Sequence, residues 1–186
     1  MSVLPDFMIC ERVHRERLIE PFVAEQVRNK GPSSGLSPAG YDCTMAPEYW
    51  VAKPGSEVID VKTLDKERLR EFFDIYEGPD FVVMPGMFLL LFTAEYFRMP
   101  RDLIGRCTGK STLRRLGLLN DLTPLEPGWH GQLVVELNFT FPRPIRIHAG
   151  MGICQVVFDR LVAPCQADYV DRGGKYHLQT GVTTAR

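Results

Sequence analysis

At 186 residues the chain is long enough for one hydrophobic core and short for two ordinary domains, so residues 1–186 are expected to form a single domain. A composition of 45% apolar and 24% charged residues excludes a disordered or fibrous chain. The net charge of -1 argues against the broad cationic face that a general nucleic-acid or membrane-surface binder requires.

Residues 1–18 have no apolar stretch behind a basic start, and no run approaches the ~20 apolar residues that span a bilayer. A cytoplasmic location without membrane or nucleic-acid partners is therefore expected. From Cys10 to Ile19, Val13, Leu18 and Ile19 fall among charges at roughly helical spacing, and Pro21 disfavours continuation, which predicts a short helix. Residues 29–40, NKGPSSGLSPAG, are rich enough in Gly, Pro and Ser to predict a loop. Thr63–Phe73 predicts a second short helix, with Thr63 as its N-cap and Leu64, Leu69, Phe72 and Phe73 on its apolar side.

The remaining apolar segments are short and separated by Pro-Gly or Gly-rich turns. Val58–Val61, Phe81–Met84, Met87–Thr93, Gln132–Phe141, Ile145–His148 and Ile153–Phe158 predict strands, and hence a mainly β barrel or sandwich decorated by short helices. Within Gln132–Phe141, Leu133, Val135, Leu137, Phe139 and Phe141 alternate with Gln132, Val134, Glu136, Asn138 and Thr140. A strand sends these two sets to opposite faces. Glu136 is then either a solvated strand residue or an acid/base group, and its nearness in sequence to a cationic segment favours the second reading.

That segment, Gly109–Arg115, carries Lys110, Ser111, Thr112, Arg114 and Arg115. Gly109-Lys110-Ser111 is not the end of a P-loop, because Ile104 occupies the position where the pattern needs glycine. A short helix starting near Ser111 would still present free N–H groups to an anion, with Lys110 and Arg115 beside them; a solvated basic turn is the alternative. Five scattered cysteines without a C-x-x-C pair are expected to be reduced and mostly buried. The H-x-E and P-C-x-x-C elements of zinc deaminases are absent, so no zinc site is expected. The polar segment 168–186 reads either as a frayed end or, through Tyr169, Lys175, Tyr176 and Gln179, as a lid over phosphates, too polar to build core.

Taken in order, LIEPF (18–22), GLSPAGYDCTM (35–45), MPGMFLLLFTAEYFRMPRDLIGR (84–106), GKSTLRRLGL (109–118), EPGWHGQLVVEL (126–137), HAGMGICQVVF (148–158) and GKYHLQTG (174–181) resemble the successive blocks of the dCTP deaminase family within the dUTPase-like superfamily. The resemblance spans nearly the whole chain. It implies a distorted jelly-roll or β-barrel subunit in a homotrimer, with nucleotide sites between subunits. It also implies Mg2+ bound through the triphosphate, and metal-free hydrolytic deamination of dCTP, or a modified dCTP, to the corresponding dUTP and ammonia.

By position, the resemblance makes Glu136 the general base and acid at cytosine C4, with Ser111 and Arg115 positioning water, base and phosphates. Lys110 stands where the family usually has arginine, and Thr112 accompanies it in binding substrate. Trp129 would pack against the deoxyribose, with Glu126, in an aspartate's usual place, near the sugar. Tyr169, Lys175 and Gln179 match the closing segment over the triphosphate. The loop 119–126 departs from the family: it is shorter, and Thr123 is followed by Pro124 where the base-lining pair is Thr-Ala. Three alternative consequences are open: a larger pocket for a modified cytosine, a change of preference between cytosine and uracil, or loss of deamination. A dUTP/dCTP diphosphatase or bifunctional deaminase-diphosphatase, with Glu126 orienting water, is the second reading, and a catalytically silent nucleotide-binding regulator the third.

Overall fold

The computed structural model describes residues 2–28 and 30–183. Asn29, at the head of the predicted loop, and residues 184–186, at the end of the predicted lid, lie outside them.

The chain begins with β1 (Ser2–Val3), α1 (Asp6–Glu16), β2 (Ile19–Glu20), β3 (Gln26–Val27), β4 (Ser34–Ser37), β5 (Gly40–Thr44) and β6 (Glu48–Ala52). After a long excursion come α2 (Lys66–Glu71), β7 (Phe73–Glu77), β8 (Asp80–Val83), β9 (Phe88–Arg98) and β10 (Leu103–Gly109). The last elements are α3 (Ser111–Arg115), β11 (Leu118–Asp121), β12 (His130–Phe139), β13 (Ile145–His148) and β14 (Gly152–Arg160).

The strands form two six-stranded sheets. One runs β1-β14-β5-β4-β3 with β10 also on β14, and the other runs β11-β12-β9-β6-β7 with β2 also on β9; β8 and β13 pair separately. The sheets do not close into a barrel. They share one core, in which Phe97 of β9 meets Phe158 of β14 at a ring separation of 6.5 Å. Tyr41, Phe97, Phe139 and Phe158 are fully buried, and each such side chain contributes roughly 1.5–3 kcal/mol of transfer free energy. The expectation of a mainly β chain with short helices is met.

Several boundaries differ from those predicted. The first helix starts earlier, at Asp6, whose charge suits a helix N-terminus, and it stops at Arg17, which adopts a left-handed conformation (φ 54). Leu18 and Ile19 therefore leave the helix and are buried beside β9. Part of the predicted loop is β4, because Gly35 (φ +83) lets the strand approach Glu25 more closely than any side chain permits: a Cβ there would lie 2.2 Å from the Glu25 carbonyl oxygen. The second helix is capped by Asp65, which accepts the Arg68 N–H at 2.7 Å, and not by Thr63. Val58–Val61 is no strand; Val58 is 90% exposed on the excursion before α2. Periodicity cannot tell such a segment from a real strand that finds a partner.

The C-terminal segment is docked. Gln179 bridges Gly131 in parallel, its carbonyl accepts the Gln132 N–H at 3.0 Å, and Leu178 N–H donates to the His130 carbonyl at 2.8 Å. Val182 is buried against Ala46, Trp50 and Phe92. The segment therefore does contribute to a small core, contrary to the expectation from its polar composition.

Of the cysteines, Cys43 and Cys154 are buried and Cys10, Cys107 and Cys165 half-buried, all as free thiols. Burial pushes the Cys43 thiol well above its ordinary range, as expected of inert core residues.

Candidate active site

Strand β12 shows the alternation that its sequence dictates: Leu133, Val135, Leu137 and Phe139 are buried in the core, while Gln132, Val134 and Glu136 are half-buried on the opposite face and Asn138 is exposed there. Glu136 stands opposite Leu90 of β9 and Asp121 of β11. Burial pushes its carboxyl above the ordinary carboxylate range, and the charge of Asp121 adds to the effect.

A cavity of about 640 Å³ opens over this face. Around Glu136 its wall is apolar, made by Val134, Leu90 and Phe88 from the sheet and by Phe73 and Leu69 from the α2 region. The segment Thr123–Glu126 forms one side, with Thr123 and Glu126 exposed. Trp129 forms the floor further along; it is 5% exposed, and its indole N–H donates to the Tyr176 carbonyl at 2.9 Å. Gly131 makes room for that ring, since a Cβ there would lie 2.7 Å from it.

The docked segment closes the far end with Tyr169, Tyr176, Gln179 and Thr183. Tyr169 N–H donates to the Pro127 carbonyl at 2.9 Å, and its hydroxyl accepts the Tyr176 N–H at 3.0 Å. The Gln179 amide donates to the Gln132 carbonyl at 2.7 Å and accepts from the Thr183 hydroxyl at 2.6 Å.

Six predicted site residues, Thr123, Glu126, Trp129, Glu136, Tyr169 and Gln179, thus share one cavity. Lys110, Ser111, Thr112, Arg115 and Lys175 do not line it. Ser111, Thr112 and Arg115 are exposed on α3, which is anchored by buried Leu113, and Lys175 is exposed on the C-terminal segment. The Lys110 ammonium is 2.7 Å from the fully buried Asp42 and donates to the Ser33 hydroxyl at 2.9 Å. Asp42 also accepts from Ser33, Gln26 and Gln155 at 2.8, 3.1 and 3.0 Å.

Some residues of this architecture were not singled out from sequence. Gln132 accepts the Gly181 N–H at 2.7 Å and donates to the Thr93 carbonyl at 3.0 Å, which fastens the C-terminal segment to the sheet. Its place on the Glu136 face was the available signal. Asp42, a lone acid within the buried strand GYDCT, was the corresponding signal for the Lys110 pair.

With the geometry in hand, comparison with known proteins decides the family: residues 3–161 match the model of the family described as dCTP deaminase-like. The chain belongs to the dCTP deaminase-like family. A dCTP deaminase of Gluconobacter oxydans is 40% identical over 186 residues, and one of Granulibacter bethesdensis is 42% identical over 187, with all of each chain covered in both cases. The crystal structure of 2'-deoxycytidine 5'-triphosphate deaminase from Agrobacterium tumefaciens has the same fold, with a TM-score of 0.64 at 15% identity. That match covers 86% of this chain and spans 48% of the Agrobacterium chain. The matched family region ends before the C-terminal segment that supplies Tyr169, Tyr176, Gln179 and Thr183 to the cavity.

Proposed function

We propose that this chain catalyses hydrolytic deamination of dCTP to dUTP and ammonia, and that Glu136 is the group that moves the protons. The observation that carries this reading is Glu136 itself, a half-buried carboxyl with a raised pKa on the wall of a cavity. Glu136 takes a proton from water as the oxygen bonds to cytosine C4. It returns a proton to the amine, and the C4–N bond breaks to release ammonia. A carboxyl held above its usual range accepts a proton more readily and can then return it, and a positioned group of this kind contributes roughly 10²–10⁴-fold. The apolar wall keeps bulk water from that exchange.

Among the described residues, the cavity lined by one chain has two carboxylates, Glu126 and Glu136, and no Lys or Arg. A triphosphate carrying about four negative charges needs several cations and donors. This favours an assembly in which α3 of a neighbouring copy brings Ser111, Thr112 and Arg115 to the cavity, as in the homotrimer of a jelly-roll subunit that the family suggests. Lys175, Tyr169 and Gln179 would then cover the phosphates, and Trp129 would pack on the deoxyribose. Lys110 would act through its pair with Asp42, holding the start of α3.

Among the described residues no three His, Cys, Asp or Glu side chains converge on a point. A Mg2+ ion arriving on the phosphate oxygens would need only an outer carboxylate from the protein, and Glu126, exposed on the cavity wall, is placed to be that group. The ion supplies charge neutralisation. Glu126 is also what a diphosphatase would need, so the test measures ammonia and pyrophosphate separately with dCTP and dUTP plus magnesium. Ammonia without pyrophosphate is expected from dCTP; pyrophosphate alone, or neither product, would refute the proposal.

A further inference from the structure

The cavity has two chemically different ends. Near Gln132 its wall is the docked C-terminal segment, where Tyr169, Gln179 and Thr183 offer hydroxyl and amide groups. Near Glu136, four residues or about 13 Å further along the strand, the wall is Val134, Leu90, Phe88, Phe73 and Leu69, none with a polar side-chain atom. Behind that apolar end lies a second cavity of about 570 Å³, which shares Leu69, Phe73 and Phe88 with the first. These three half-buried side chains form a partition with space on both sides.

A cytosine presenting C4 to Glu136 has two edges on either side of that atom. Its polar edge, N3 and O2, requires hydrogen-bond partners, which the Thr123–Glu126 side can supply and the apolar wall cannot. The C5–C6 edge is left to face the partition. We propose that this cavity accepts deoxycytidine triphosphates carrying a small apolar group at C5, and that 5-methyl-dCTP is a substrate in its own right, an inference that rests on the function proposed above. The reaction balances without any co-reactant but water: oxygen bonds to C4, the C4–N bond breaks, ammonia leaves with the proton delivered by Glu136, and the product is dTTP.

The test is equilibrium binding of dCTP and 5-methyl-dCTP to the full chain carrying Glu136→Gln, with ammonia release by the unaltered protein measured alongside. Burying one methyl group is worth roughly 0.8 kcal/mol, so 5-methyl-dCTP is expected to bind as tightly as dCTP or up to about fourfold more tightly. Its kcat/KM for ammonia release should be comparable. Binding weaker than that of dCTP overturns the inference. Absence of ammonia from dCTP itself would instead refute the proposed function, and the ratio of the two binding constants would still decide the C5 question. Leu69→Trp, which fills the partition from the α2 side, is expected to lower kcat/KM for 5-methyl-dCTP about tenfold more than for dCTP. Equal losses on the two substrates would overturn the placement of C5 against the partition.

Discussion

Glu136 and Asp121 stand directly opposite each other on β12 and β11, two carboxylates on neighbouring antiparallel strands, and neither has an ion-pair partner among the described residues. The Asp121 charge disfavours ionisation of Glu136. Asp121 is exposed, so its share of the upward shift at Glu136 is smaller than that of burial. Asp121→Asn is therefore expected to move the acidic limb of the kcat/KM profile for ammonia release to lower pH, because Glu136 then loses its proton more readily. Most of the elevation should survive. A profile displaced to higher pH would contradict this account.

Glu136→Gln should reduce ammonia release from dCTP by roughly 10²–10⁴-fold while nucleotide binding changes little. The same substitution has a signature in stability. A carboxyl whose folded pKa is raised favours folding fully below its unfolded pKa, and this contribution is lost as pH rises through the folded value. The glutamine variant is thus expected to melt higher than the parent at alkaline pH, with the difference shrinking as pH falls. A melting difference that does not vary with pH would place the carboxyl in bulk water.

The Lys110–Asp42 pair should respond asymmetrically. Removing one member of a buried pair costs about 3–5 kcal/mol because it strands the other charge. Asp42→Leu leaves the 14%-exposed Lys110 side chain with only the Ser33 hydroxyl. Lys110→Met leaves Asp42 with Ser33, Gln26 and Gln155 still donating. Urea denaturation midpoints are expected to fall more for Asp42→Leu than for Lys110→Met, and the reverse order would show that the three neutral donors do not compensate.

Truncation after Ala167 removes both a cavity wall and a piece of core. Val182→Ala isolates the second effect: it deletes two buried carbons worth about 1.6 kcal/mol of transfer free energy and should lower the melting temperature by a few degrees, with KM for dCTP little changed. The full truncation should lower the melting temperature further and raise KM. A truncated chain as stable as the parent would mean that the pairing of Gln179 with Gly131 and Gln132 does not persist in solution.

What could be read from sequence depended on whether the physical signal was local. The face of β12 was legible because its apolar residues alternate, and α3 because Lys110, Ser111 and Arg115 cluster. Val58–Val61 has the same local pattern as a strand but lacks a partner, a non-local fact. The docking of 168–183 escaped notice because it rests on backbone and amide hydrogen bonds, which leave no trace in hydropathy; Val182 is a lone apolar residue in a polar stretch. The partners of Lys110 were hidden for a similar reason, since Asp42, Ser33 and Gln155 come from distant parts of the chain. Leu69 and Phe73 were recognisable as apolar, but nothing local says that they stand between two cavities.

On the proposed reading, the separation of the acid from the exposed cations of α3 makes each polypeptide half a catalyst. A preparation of Glu136→Gln chains and one of Arg115→Ala chains would each be inert. After joint unfolding and refolding the two would rescue one another, because in a mixed ring some clefts receive an intact acid from one chain and an intact guanidinium from its neighbour.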